Sequence, residues 1–155
     1  MHDLGSLTAL LAHAERRRDL ALSDEAAART AHAAAQSQAE ELVAYRASYE
    51  QRWNGAFCQD GAIELVRCYQ GFVERLTQAI EHQRRVAYAA DGRLAAASNE
   101  LRDLEIRAAA LKKLLERRTQ ELARAADQRE QRQTDEHSAR VAWSRQATLS
   151  PSTLA

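Results

Sequence analysis

The sequence predicts an all-α fold: a long antiparallel coiled-coil hairpin of two helices, the second longer than the first. Three observations predict it. The 155 residues hold five glycines and a single proline, Pro151. Alanine, leucine, glutamate, glutamine and arginine dominate, and these are strong helix formers. A sustained seven-residue apolar repeat runs through the second half of the chain.

That repeat defines the second helix. Steps of seven from Val66 reach Val73, Ile80, Ala87, Leu94, Leu101, Ala108, Leu115 and Leu122, and every one is apolar. The companions three residues on are Tyr69, Leu76, Gln83, Ala90, Ala97, Leu104, Leu111, Arg118 and Ala125, with only Gln83 and Arg118 polar. Two apolar positions per heptad hold one seam against a partner helix. The pattern predicts a helix over about 62–145, roughly 120 Å long at 1.5 Å per residue.

The first helix, predicted over about 6–53, carries a weaker repeat: Leu7, Ala14, Ala21, Ala28, Ala35, Leu42 and Tyr49. Its companions three residues on include Arg17 and Asp24. A seam rich in alanine buries little area, so this helix depends on its partner. Ser6 is the expected N-cap. Between the helices, Asn54-Gly55 offers a left-handed stop, Gln59-Asp60-Gly61 a second turn, and Asp60 a cap for the second helix. This predicts a turn over about 54–61. Two glycines in a helix interior would cost about 2 kcal/mol. The alternative is one unbroken helix in a parallel dimer. Residues 1–148 form a single domain on this reading, and the tail 149–155 is expected to be disordered.

Pairing about a tip near Cys58 places Tyr49 level with Arg67, Leu42 with Leu76 and Leu7 with Ala109. The seam of the second helix continues past that point through Leu111, Leu115 and Leu122. This predicts an unpartnered overhang of roughly 50 Å, which is an interaction surface or else frays or forms a homodimer seam.

Lys+Arg and Asp+Glu both number 22, which argues against nucleic acid as a partner. The N-terminus does not read as a secretory signal, and no run approaches the ~18 apolar residues of a membrane span, so no direct membrane insertion is expected. Two cysteines, Cys58 and Cys68, fit a reducing cytoplasm and read as a loop thiol and a helix-surface thiol. The histidines lack ligand spacing and no glycine-rich phosphate loop is present, so neither an enzyme nor a cofactor or metal site is expected.

Aromatic placement is more informative. Six of the eight aromatic residues fall between Tyr45 and Phe72, around the predicted turn. Gln38, Leu42, Tyr45 and Tyr49 share one face of the first helix at steps of four, three and four. Phe72, Leu76, Ala79 and Gln83 repeat that spacing on the second. Leu76 and Gln83 are seam positions, while Phe72 and Ala79 flank the seam. The combined strip reads either as an interface anchor or as a thick core that clamps the turn. Arg16, Arg17 and Arg18 read as solvated surface or as a contact for an acidic partner.

The segments AEELVAYRASYEQR and CYQGFVERLTQAIEHQRR, joined by a glycine-bearing turn, resemble the flagellar export protein FliJ family. The resemblance extends from LTALLAHAERRRDLAL to about Trp143. It implies a non-enzymatic cytoplasmic component of the flagellar type III export apparatus, peripherally associated with the inner-membrane machinery. Such a protein binds the hexameric export ATPase like a central stalk, contacts the export gate protein FlhA and escorts export chaperones. The resemblance puts the gate contact on Gln38, Leu42, Tyr45, Tyr49, Phe72, Leu76 and Ala79. At the eighth position the family carries histidine where this chain has Gln83. The ATPase contact is expected at the end bearing both termini, with Arg16, Arg17, Arg18, Leu111, Leu115 and Leu122 as candidates. A generic coiled-coil scaffold or dimerisation protein, and a holdase-type chaperone, are the competing readings.

Overall fold

The computed structural model describes residues 2–57 and 63–149. It contains two helices, α1 (His2–Phe57) and α2 (Ile63–Thr148), and no strand among the described residues. The second is the longer, and the two pack against each other as the heptads require. Contacts divide the chain into two compact units: Ala14–Arg107, and Met1–His13 with Ala108–Ala155.

In the Ala14–Arg107 unit the helices run antiparallel. Tyr49 meets Tyr69, Gln38 meets Gln83, His32 meets Asp91 and Glu25 meets Ser98. Partner numbers climb along α2 as they fall along α1, so one chain supplies both strands. The seam of α2 follows its heptad closely. Leu76, Ile80, Ala90 and Leu104 are buried, and the intervening seam positions are at least half-buried. Ile80 is the most enclosed side chain, only 1% exposed.

On α1 the buried repeat is partly as expected, with Ala21 and Ala35 buried and Ala14, Ala28, Leu42 and Tyr49 half-buried. Its companions, however, lie four residues on rather than three: Arg18, Glu25, His32, Ala39, Arg46 and Trp53 are buried or half-buried, while Arg17 and Asp24 are exposed. Most of this second row is polar, so it reaches across the seam by hydrogen bonding. Arg46 Nη1 donates to Thr77 Oγ1 at 3.3 Å. Ser98 Oγ donates to Glu25 Oε1 at 3.5 Å, and Arg29 pairs with the same carboxylate. His32 Nε2 lies 3.6 Å from Asp91. Half-buried polar side chains are tolerated where such partners exist.

Both ends of α1 extend beyond the sequence expectation. Asn54 and Gly55 are helical, and no described glycine has positive φ. Tertiary packing overrides the local stop signal: the Trp53 ring lies 5.9 Å from Tyr49 and 5.7 Å from Tyr69, which holds the last turns against α2. The expected Gln59-Asp60-Gly61 turn, its Asp60 cap and Cys58 lie outside the described residues. Ser6 is inside the helix rather than at its cap, since α1 is already formed at His2. Asp3 occupies the first turn, where a carboxylate complements the helix dipole.

In the other unit, Leu4, Leu7 and Leu122 line one pocket together with Asp3, Arg118 and Glu121. Arg118 bridges Asp3 at 4.0 Å and Glu121 at 3.5 Å. Leu7 therefore lies further along α2 than Ala109, its expected level. Because α1 continues through Phe57, each of its residues faces a later residue of α2 than a tip at Cys58 implies. Leu111, Leu115 and Ala125 are half-buried, so the expected overhang does not begin at residue 110. Every residue over 126–149 is exposed, and the unpaired length starts there.

Candidate functional site

Heptad geometry builds the candidate site. Leu42 and Tyr49 lie on the α1 seam, with Gln38 and Tyr45 beside it on one flank. Leu76 and Gln83 lie on the α2 seam, with Phe72 and Ala79 on the flank that faces the same side. Antiparallel pairing joins the flanks into one strip within the Ala14–Arg107 unit. Leu76 is buried and Leu42 half-buried, whereas Ala79 and Tyr45 are exposed.

Tyr49 is the hub. Its ring centroid is 4.5 Å from Phe72, 5.7 Å from Tyr69 and stacked, 5.9 Å from Trp53, and 6.4 Å from Tyr45. Tyr45 meets Phe72 edge-on at 6.5 Å, and its side of the cluster is open, with 52% of the residue exposed. The arrangement is thus both a clamp near the α1 C-terminus and an exposed aromatic ledge. Desolvation pushes the Tyr69 hydroxyl above its ordinary value, and Glu50 and Tyr49 add to the rise.

The strip ends in a polar pair. Gln83 Nε2 donates to Gln38 Oε1 at 3.0 Å and to the Ala35 carbonyl at 3.2 Å. Gln38, Glu41, Leu42, Tyr45 and Gln83 line an open groove at this end. The structure therefore brings together all eight residues singled out from the sequence. Trp53, Tyr69 and Glu41 join them without having been singled out. Trp53 and Tyr69 were legible as members of the aromatic run, but Glu41 carried no signal of its own.

The other candidates are dispersed. Arg16 and Arg17 are exposed in the Ala14–Arg107 unit, and half-buried Arg18 pairs with its neighbour Asp19 at 2.9 Å. Leu111, Leu115 and Leu122 belong to the other unit, where Leu122 lines a pocket with Leu4 and Leu7 and is 52% exposed. Cys68 is exposed, as a helix-surface thiol should be. Among the described residues no cluster of His, Cys, Asp or Glu could hold a metal ion, and no helix is long and apolar enough to cross a membrane.

A family model described as "Flagellar FliJ protein" matches residues 2–147. No curated protein and no solved structure matches the chain.

Proposed function

The chain belongs to the flagellar FliJ family, a non-catalytic component of flagellar export, and from that premise we propose that it links the export ATPase to the export gate. The gate protein FlhA docks on the strip formed by Gln38, Leu42, Tyr45, Tyr49, Phe72, Leu76, Ala79 and Gln83. The hexameric ATPase is contacted elsewhere, through the part of the chain that contains both termini. There Leu122 is half-exposed, Leu111 and Leu115 stand beside it, and the helical turns beyond residue 125 are unpaired. Arg16, Arg17 and Arg18, in the Ala14–Arg107 unit, are a separate basic candidate for contact with the ATPase. In this role the protein acts like a central stalk and couples ATP hydrolysis to export. It also escorts export chaperones, and it works in the cytoplasm at the face of the membrane machinery.

One observation carries the gate assignment: an exposed aromatic ledge built on a half-buried aromatic hub. A hub alone would clamp the hairpin with its rings turned inward. Tyr45 instead turns half its surface outward beside Phe72. Exposed aromatic residues rooted in a packed cluster are characteristic interface anchors.

The test is a binding titration of the purified protein against FlhA and, separately, against the assembled ATPase. Tyr45→Ala with Phe72→Ala is expected to weaken FlhA binding about a hundredfold, since two anchors at ~1–2 kcal/mol each are lost. ATPase binding should be unchanged, and cells carrying the double variant should lose swimming motility. Unaltered motility, or an unmodified protein that binds neither partner, refutes the proposal.

A further inference from the structure

The polar end of the strip has a specific hydrogen-bonding remainder. Gln83 uses both protons of Nε2, one on Gln38 Oε1 and one on the Ala35 carbonyl. Its own carbonyl Oε1 accepts nothing among the described residues. Gln38 accepts through Oε1, and its Nε2 donates to nothing among them. One hydrogen bond thus ties the two amides together and leaves the Gln38 Nε2 amino group, with its two protons, as a donor and Gln83 Oε1 as an acceptor on residues that line the groove. That pair is the complement of one residue of an extended segment, whose own N–H and C=O point to the same side.

A helix has already used those groups internally, except at its ends. An extended segment has not. The open groove that both amides line is also lined by Leu42 and Tyr45, whose apolar surfaces suit an apolar side chain. At its rim stands Glu41, whose carboxylate takes only the Ser37 hydroxyl, at 3.5 Å, and no cation among the described residues.

We infer that the gate segment bound here is extended rather than helical: the Gln38–Gln83 amide pair reads its backbone, an apolar side chain fills the Leu42–Tyr45 groove, and a lysine or arginine meets Glu41. The inference rests on the gate reading above and specifies the conformation and chemistry of that partner. Fixing both amides in advance lowers the ordering cost of the contact. The charge at Glu41 selects among apolar segments, because a carboxylate facing a like charge opposes binding.

The experiment titrates the full-length protein with FlhA and with a synthetic FlhA peptide selected from an overlapping series, made once unconstrained and once covalently stapled as a helix. The unconstrained peptide is expected to bind and the stapled one to bind at least tenfold more weakly. Gln83→Leu places an ordinary apolar residue on the seam, so its circular dichroism melt should be retained while FlhA binding falls about tenfold. Glu41→Lys should weaken binding several-fold and remove much of its salt dependence. Tighter binding of the stapled peptide overturns the inference, as does full affinity in both Gln83→Leu and Glu41→Lys. If Tyr45→Ala weakens FlhA binding while those two variants do not, the gate assignment stands and this inference fails. If the unmodified protein does not bind FlhA, both fail.

Discussion

Truncating Tyr49 to alanine tests whether the aromatic cluster is organised around that ring. Its four neighbours lie with centroids between 4.5 Å and 6.4 Å away. An aromatic pair is worth about 0.5–1.5 kcal/mol beyond the area it buries. Four such contacts do not add, because the surviving rings relax towards one another. Removing a large aromatic from a closed core costs about 3–5 kcal/mol. A two-helix interior admits water more readily than a closed core, so Tyr49→Ala should cost about 2–3 kcal/mol. Tyr45 is 52% exposed and meets two rings, at 6.4 Å and 6.5 Å, so Tyr45→Ala should cost only about 1 kcal/mol. Urea unfolding followed by far-ultraviolet circular dichroism measures both. Tyr49→Phe, which keeps the ring, should stay within ~0.5 kcal/mol of the unmodified protein. If Tyr45→Ala proves as costly as Tyr49→Ala, or more so, the hub has been placed on the wrong ring.

Ile80→Ala should be the most damaging aliphatic truncation in α2, at about 2–3 kcal/mol, since that side chain is only 1% exposed; the same urea unfolding experiment reads it. Gly55→Ala should stabilise the protein by about 0.5 kcal/mol, because the residue is helical and a methyl group there meets no atom within 4 Å. A lowered melting temperature would mean that Gly55 does require a left-handed backbone. With its hydroxyl pKa raised on folding, Tyr69 contributes stability that is intact below the unfolded value of 10.0 and is lost as pH rises through the higher folded value. Tyr69→Phe should therefore flatten the alkaline limb of the stability profile, read from melting temperature against pH.

The fold was legible in the sequence wherever apolar residues dominate. The α2 heptad needed no other information, because Val66, Val73, Ile80, Leu94 and Leu101 share one stripe. The α1 companion row was missed because Arg18, Glu25, His32 and Arg46 are polar, and nothing local shows that the last three find partners across the seam. The register error had a related origin. Asn54-Gly55 is a sound stop signal by itself, but the Trp53 ring meets rings of both helices at a tilt and carries the helix through it. Ser6 failed as a cap because the helix already runs from His2, with Asp3 in its first turn bridged to Arg118 of α2. The strip residues were recoverable because their spacing repeats on both helices and the aromatic run marks them. The orientation of the Gln38–Gln83 amides depends on contacts between α1 and α2, and no spacing encodes it.

The central claim is that α1 and α2 of one molecule pair antiparallel and so assemble the strip from both. Spin labels at Glu41 and His82, both exposed, test it most directly when Cys58 and Cys68 are replaced by serine and labelled protein is diluted in unlabelled protein. Pairing within one molecule predicts a short label separation, set by an interaxial distance of about 8–10 Å plus the label arms. An unbroken helix would put the two positions about 60 Å apart at 1.5 Å per residue, and a separation of that size would contradict the account.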